Sequence, residues 1–251
     1  KPGEVIYVQT GGSFVSAENA LLNFDTEQRG FDFAAVRASA EDAWEQALRV
    51  VEVEGGTQEQ RTVFYTALYH LLIHPNILQD VNGEYPMMAS LHTGKTSHDR
   101  YTVYSLWDTY RNVHPLLSLL YPRKQLAMVQ SMLDMYREGG WLPKWELYGQ
   151  ETLTMEGDPS LIVINDTWQR GIRDFDVNLA YEAMLKGATT PGKDNLMRPD
   201  NDDYLSRGYV PLREKFDNSV SHALEYYLAD WNLSQFARSL GKKNDAELFH
   251  K

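Results

Sequence analysis

The amino-acid sequence predicts a mainly α-helical chain, and two observations carry that prediction. Apolar residues recur at helical spacing in about nine separate segments, most of which are joined by short polar loops. Strand-like alternation is nearly confined to the first 14 residues. The pattern indicates helical hairpins packed side by side, as in a bundle, a repeat array or an α/α toroid.

The N-terminal region is expected to differ from the rest. Residues 4–9 alternate as one strand and lead into a glycine turn at 11–12. Residues 13–37 lack a clear period and predict an irregular connection. Ser39 can then cap a helix that ends before Gly55.

The next helix has a specific start signal. Thr57 and Gln60 form a capping box, in which each side chain satisfies an amide that the helix leaves free. This helix is expected to bury an apolar stripe between Val63 and Leu72 and to stop before Pro75. Turn signals and short strand-like pieces follow in 77–104, and Asn82-Gly83 is the strongest of them.

Helical patterns resume at Leu106 and continue to the end of the chain. The first stretch is broken or restarted at Pro115, and Pro122 suits the first turn of another helix. The exception is 139–156, which is rich in glycine, tryptophan and acidic residues. The later segments are helices near 158–171 and 174–187, a polar loop at 189–206, and a helical run closed by Gly241.

Composition limits the classes of function. At 251 residues the chain is long enough for one large domain with a full core. A net charge of −11 argues against a nucleic-acid partner, because binding phosphates requires clustered Lys and Arg. No apolar run approaches the roughly 18 residues of a membrane-spanning helix. The absence of cysteine excludes disulfides, thiol chemistry and cysteine-ligated zinc.

Both ends suggest a piece of a longer protein. Lys1 is not an initiator residue, and no signal peptide precedes it. Lys251 follows a fresh helical start at 244–249.

Three short motifs favour ordinary structural roles. The segment 91–96 resembles the tail of a phosphate loop, but Ala89 stands where the pattern needs glycine. His70 and His74 have metal-ligand spacing without the glutamate of the zinc-protease pattern. The acidic run 200–203 lacks the glycine of a calcium loop, so a solvated loop is expected there.

The segment from Trp145 to Glu156 is the strongest candidate for chemistry. It holds three carboxylates, aromatic rings and the Gly149 hinge, and helical scaffolds often position catalytic groups on such loops. If the segment is extended, Glu146 and Glu151 point to opposite faces and do not form a close carboxylate pair. A connecting loop without function is the competing interpretation.

Four segments, in order along the chain, resemble glycoside hydrolase family 92. They are Phe64-Tyr-Thr-Ala-Leu-Tyr-His70, Tyr104-Ser-Leu-Trp-Asp-Thr-Tyr-Arg111, Leu142-Pro-Lys-Trp-Glu-Leu-Tyr-Gly-Gln-Glu-Thr152, and Ser219-Val-Ser to Asp230-Trp231. The resemblance implies an exo-acting, inverting, calcium-dependent α-mannosidase. It also implies a β-sandwich domain followed by an (α/α)6 toroid.

The resemblance predicts both the domain boundaries and the site. Residues 1–14 would end the sandwich, 15–38 would be a linker, and 39–251 would belong to a catalytic toroid whose C-terminal part is missing. Glu151 aligns with the general acid of the family. The residues expected to bind substrate are Trp107, Asp108, Arg111, Trp145, Glu146 and Gln150. The general base and the calcium ligands are not found here, so the metal-binding residues stay unknown.

Two departures from the family pattern concern linkage. Members specific for α-1,2 bonds have Gly-Tyr-His after the acid motif, whereas this chain has Gly157-Asp-Pro159. The His-Glu pair of those members is replaced by Arg198-Pro199. An α-1,3 or another linkage is therefore at least as well favoured as α-1,2.

The resemblance predicts mannose-containing oligosaccharides or glycoproteins as partners, in a secreted or periplasmic protein. Two alternatives stay open. One is another inverting α/α-toroid glycosidase, such as a glucosidase, which would lack the calcium contact with sugar O2 and O3. The other is a helical glycan-binding protein without turnover.

Overall fold

The computed structural model describes residues 3–28, 30–212 and 218–250. Helix accounts for 54% of the chain and strand for 7%, which confirms the mainly α prediction. In the described residues, the α-helices are α1 Ala17–Glu27, α2 Phe33–Leu48, α3 Gln58–Leu71, α4 Leu106–Thr109, α5 Val113–Leu120, α6 Pro122–Gly139, α7 Ser160–Gln169, α8 Val177–Thr189, α9 Asn201–Arg207, α10 Ser219–Ser239 and α11 Lys243–Leu248.

In the part of the chain that the structure describes, three small antiparallel sheets occupy the loops. Their strands are β1 Asn76–Ile77, β2 Glu84–Pro86, β3 Thr93–Lys95, β4 Tyr101–Thr102, β5 Tyr104–Ser105, β6 Trp145–Leu147 and β7 Gln150–Glu151. β1 pairs with β4, β2 with β3, and β5, β6 and β7 form one sheet in that order.

The core lies between the helices of the second half of the chain. α7 is its centre, because four consecutive residues from Leu161 to Ile164 are all buried. α6 contributes a buried face from Ala127 to Tyr136, and α10 packs Leu233 and Phe236 against the same cluster. Each fully buried aliphatic or aromatic side chain stabilises the fold by roughly 1.5–3 kcal/mol. This rigid centre carries the loops of the candidate site.

The N-terminal predictions are partly wrong. Residues 4–9 form no strand, because no segment of the described chain pairs with them. The interval 13–37 is not irregular, since α1 lies inside it and is capped by Ser16. α2 starts at Phe33 because Asp32 accepts a hydrogen bond from the Ala35 amide, and Ser39 therefore lies within the helix rather than at its start.

α3 begins as predicted but packs differently. The capping box between Thr57 and Gln60 is present with both hydrogen bonds. The expected buried stripe is mostly absent: Leu68 is buried, whereas Val63 and Phe64 are exposed. The reason is that, among the described residues, no helix covers the outer faces of α2 and α3.

The middle of the chain follows the proline and glycine signals. The turn at Asn82-Gly83 is formed, with Gly83 at φ +84°. The helical stretch from Leu106 is interrupted between α4 and α5, and Pro115 lies in the first turn of α5. Pro122 opens α6.

The C-terminal helices are close to their expected positions. The predicted polar loop at 189–206 is in part helical, with a short 3₁₀ turn at Gly192–Asp194 and the start of α9. The helical start at 244–249 is formed as α11. No helix in the described part of the chain is long and apolar enough to cross a membrane.

Candidate active site

The segment 145–151 is a β-hairpin. Tyr148 and Gly149 form its turn, with φ of +49° and +86°, which is the conformation that tight two-residue hairpins require. Glu146 and Glu151 are therefore direct cross-strand partners, and the assumption of one extended segment is wrong. Their carboxylates nevertheless have separate sets of hydrogen-bond partners, described below.

Glu146 lies inside the protein. Its side chain is 0% exposed and accepts hydrogen bonds from Thr102 Oγ1 at 2.9 and 3.0 Å, the Val103 amide at 3.1 Å and the Gly149 amide. Burial raises the pKa of this carboxyl, against the opposite effect of those hydrogen bonds. The prediction that Glu146 binds substrate is wrong in this structure, because the carboxylate is used to hold the hairpin turn.

Glu151 is half-buried at the end of the hairpin. Its Oε2 accepts from the Lys144 amide at 2.7 Å, and its Oε1 accepts from the amides of Trp145 at 3.0 Å and Leu153 at 2.8 Å. Backbone amides thus fix the position of both carboxylate oxygens. The carboxylate lies between Lys144, which lines a cavity, and Trp145, whose backbone pairs with Ser105.

The segment after β5 forms a charged aromatic cluster. Arg111 lies 4.8 Å above the Trp107 ring and 4.5 Å above the Tyr110 ring. Glu225 of α10 accepts from Arg111 at 2.7 Å and from the Tyr110 hydroxyl at 3.0 Å. Asp108 is exposed and accepts a hydrogen bond from the Ser105 hydroxyl. The cluster therefore offers an aromatic face, a guanidinium and an exposed carboxylate to solvent.

Contacts join this cluster to the hairpin. Ser105 of β5 pairs with Trp145 of β6, which brings α4 beside the hairpin. The loop after β7 packs on α10, because a Cβ at Gly157 would lie 2.5 Å from the Glu225 Cβ. Backbone pairing and ring contacts thus place six of the seven residues predicted for the site in two adjoining segments, 107–111 and 145–151, although neighbouring hairpin side chains point to alternate faces: Trp107, Asp108, Arg111, Trp145, Gln150 and Glu151.

The indole nitrogens of Trp107 and Trp145 are buried and have no hydrogen-bond partner among the described residues. Buried polar atoms are normally paired, so these two unpaired donors beside the hairpin are exceptions. Gln150 is exposed on β7.

A cavity of about 650 Å³ opens beside the hairpin. Its charged and titratable lining residues are Lys144, Glu156, Lys193, Asp200 and His222. Lys144 is buried and donates to the Met197 carbonyl at 2.9 Å, and burial lowers the pKa of its ammonium group. Sequence reasoning did not predict this cavity, because three of its walls come from separate parts of the chain.

A buried ion-pair network lies next to this cavity. Arg198 is 0% exposed, and its guanidinium contacts Asp158 at 3.2 Å and Asp230 at 2.7 Å. Burial opposes the charge, but the carboxylates of Asp230 and Asp158 outweigh it and raise the pKa of Arg198. The Tyr204 hydroxyl donates to Asp230 at 2.9 Å. The two sequence departures at 157–159 and 198–199 are thus in direct contact.

The segments that resemble a phosphate loop and a calcium loop belong to regular secondary structure. The segment 93–95 is strand β3 rather than a phosphate loop, and 201–203 opens α9. Across the described residues, no group of three or more His, Asp or Glu side chains is placed to hold a metal ion.

The family can be decided by comparison with known proteins. A model of the glycosyl hydrolase family 92 catalytic domain matches residues 19–251. The chain belongs to this family. The match begins within α1, inside the interval 15–38 that is predicted to be a linker.

Two solved structures from Bacteroides thetaiotaomicron resemble the chain over 95% of its length. One is a family 92 α-mannosidase, with 35% identity and a TM-score of 0.86 over 31% of that chain. The other is an inverting mannosidase of the family, with 32% identity and a TM-score of 0.87 over 33% of that chain. These matches confirm the (α/α)6 toroid class for the helical region.

A curated relative is an uncharacterized secreted glycosidase from Arthroderma benhamiae. It is 28% identical over 261 residues, which is 96% of this chain and 29% of the relative. The chain thus spans about a third of the length of the relatives it matches.

Proposed function

We propose that this chain provides part of the active site of an inverting exo-α-mannosidase, which removes terminal α-linked mannose from glycans. The observation that carries the proposal is its likeness to two family 92 mannosidases at TM-scores of 0.86 and 0.87 and more than 30% identity. The proximity of the hairpin and the aromatic cluster, joined by the pairing of Ser105 with Trp145, supports it.

In this proposal Glu151 is the general acid. An inverting glycosidase protonates the leaving oxygen with one carboxylic acid, while a second carboxylate activates water from the opposite side, roughly 6.5–9.5 Å away. Both oxygens of Glu151 are held by backbone amides, so the leaving oxygen replaces one of these hydrogen bonds when it approaches. The hairpin thereby fixes the acid before the substrate arrives, which reduces the entropic cost of the reaction.

The terminal mannose is placed beside α4 in the same proposal. Asp108 is exposed and can accept hydrogen bonds from vicinal hydroxyls. Arg111 is held by Glu225, so its guanidinium is oriented rather than mobile. The indole groups of Trp107 and Trp145 offer unpaired N–H donors, and their faces can stack on the sugar.

A calcium requirement is also proposed, in which the ion binds sugar hydroxyls through oxygen ligands. Within the described residues no group of three or more His, Asp or Glu side chains could hold the ion, so its ligands are not assigned. We therefore assign no step to the ion. Activity of the full-length protein should be lost in EGTA and restored by added calcium; full activity after exhaustive chelation would remove calcium from the proposal.

The proposed partners are mannose-containing oligosaccharides or glycoproteins outside the cytoplasm. A secreted or periplasmic location is proposed, and its secreted form is supported by the relative from Arthroderma benhamiae, which is a secreted glycosidase by name.

One experiment separates the candidate functions. The full-length protein that contains this chain is assayed with p-nitrophenyl α-mannoside and p-nitrophenyl α-glucoside, and the anomer released first is identified by proton NMR. Hydrolysis of the mannoside with release of β-mannose supports the proposal. Preference for the glucoside identifies another toroid glycosidase, and binding without hydrolysis identifies a glycan-binding protein.

A further inference from the structure

The cavity beside the hairpin has a polar wall that the proposed reaction does not explain. His222 Nε2 lies 2.9 Å from Glu156 Oε2, and the Asn218 side chain donates to Glu156 Oε1 at 2.7 Å. All three residues line the cavity. Glu156 comes from the loop after β7, whereas Asn218 and His222 come from the start of α10.

Several buried polar atoms around this wall have no hydrogen-bond partner among the described residues. They include His222 Nδ1 and the hydroxyl of Tyr226, a residue that is 0% exposed. The two rings are neighbours, with centroids 5.8 Å apart. A buried group without a partner destabilises the protein, so such a cluster indicates a ligand with its own polar atoms.

The cavity adjoins Glu151. Lys144 and Leu153 line it, and their backbone amides donate to the Glu151 carboxylate. The proposed function places the terminal mannose in the aromatic cluster, which meets the hairpin where Trp145 pairs with Ser105. A general acid contacts both the sugar that is cleaved and the group that departs. In that arrangement the cavity is left for the departing group.

We propose that Glu156 and His222 form a clamp that binds the sugar on the leaving-group side and so determine which glycans are cleaved. This inference rests on the proposed mannosidase function. The clamp offers both donors and acceptors, since a neutral imidazole has one of each and the carboxylate accepts. Burial favours the neutral imidazole by lowering the pKa of His222, which the Glu156 charge opposes.

The lining also indicates the class of ligand. Lys144 and Lys193 bring positive charge to the cavity, and Glu156 and Asp200 bring negative charge. Neither sign dominates, so the wall does not favour a phosphate or a carboxylate. A neutral hexose, with several hydroxyls that both donate and accept, fits the mixed lining.

The test compares two substrates whose leaving groups are both poor alkoxides. When methyl α-mannoside is bound, the cavity contains no sugar, whereas an α-linked mannobiose places its second mannose there. Among the α-1,2, α-1,3 and α-1,6 isomers, the one that the wild-type full-length protein cleaves best is used. The ratio of kcat/KM for mannobiose to kcat/KM for methyl α-mannoside reports recognition of the departing sugar.

His222→Leu and Glu156→Gln should each lower this ratio at least tenfold, with the loss mainly in KM for mannobiose. His98→Leu is the matched control, because His98 forms a similar contact with Asp134, at 3.1 Å, and lines a different cavity. The control should leave the ratio unchanged. Thermal unfolding checks that each variant folds, and His222→Gln replaces His222→Leu if the latter does not.

The outcomes are distinguishable. Equal losses on both substrates, or an unchanged ratio, overturn the clamp while leaving the mannosidase proposal intact. A wild-type protein that cleaves neither methyl α-mannoside nor any mannobiose overturns the proposed function itself.

Discussion

His114 couples the stability of the helical core to pH. The residue is 1% exposed on α5, and its Nδ1 lies 3.0 Å from Gln125 Oε1. The Gln125 amide nitrogen donates to Thr167 at 2.8 Å, which fixes the orientation of the amide and makes Nδ1 the donor. His114 Nε2 has no partner in the described part of the chain. Protonation would place a charge in this dry environment, and burial lowers the pKa of His114 to about 4.

The sign and size of the effect follow from that pKa. In the unfolded chain the imidazole has its ordinary pKa of 6.5, so between pH 6.5 and about 4 the unfolded state binds more protons. The stability contributed by the neutral imidazole is therefore present above pH 6.5 and is lost as the pH falls to about 4. At about 1.4 kcal/mol per pH unit, the whole effect is about 3 kcal/mol.

The measurement is urea-induced unfolding at pH 7 and pH 4.5, followed by tryptophan fluorescence. His114→Asn keeps a donor near the position of Nδ1 but cannot titrate. The free energy of unfolding should fall by about 2 kcal/mol less in this variant than in the wild type over that interval. His92→Asn, at an exposed histidine, is the control and should behave like the wild type. Equal pH dependence in wild type and His114→Asn would refute the argument.

Three further predictions concern the site. Glu151→Gln should lower the rate of hydrolysis of a mannose disaccharide by about 10²–10⁴-fold. The loss on 2,4-dinitrophenyl α-mannoside should be far smaller, because its leaving group needs no proton. Equal losses on the two substrates in steady-state kinetics would make Glu156 the next residue to test. Asp108→Ala should raise the activation free energy that corresponds to kcat/KM by about 3 kcal/mol or more, because sugar hydroxyls lose their hydrogen-bond partner. Unchanged kinetics in a correctly folded variant would indicate a structural role for Asp108. Arg198→Met should destabilise the protein by about 3–5 kcal/mol in urea titrations, since two carboxylates stay buried without their cation, and a loss below about 1 kcal/mol would show that the ion pair is not formed.

Local signals predicted those parts of the fold that depend on neighbouring residues. The capping box at Thr57 and the helix start at Pro122 each need only a few adjacent residues, and both are formed. The segment 4–9 has the composition of a strand, but a strand needs a partner, and composition does not show whether one is present. Whether Asp32 or Ser39 caps α2 depends on where the preceding turn ends, and the spacing of apolar residues does not show this.

The same division applies to the candidate site. Trp107, Asp108 and Arg111 could be predicted together because they lie in one segment, as do Trp145 and Glu151. Glu225 and His222 were not found, because α10 meets the hairpin only in the folded chain.

An acidic residue in a loop also cannot be assigned to solvent or to the interior by its neighbours in sequence. The residues around Glu146 have the composition expected of a functional site. It is nevertheless buried, because the amides of the turn need an acceptor.

The contact between Asp158, Arg198 and Asp230 has a consequence for how specificity can change in this family. Replacing Arg198 alone leaves two buried carboxylates without their cation, so that single substitution is selected against even when it would improve binding of a new glycan. The three positions should therefore change as a set, and relatives without arginine at the position of Arg198 should also lack one or both of the acids. An engineer who wants to restore the Tyr-His and His-Glu residues of the α-1,2 pattern would have to exchange both segments at once, together with Asp230.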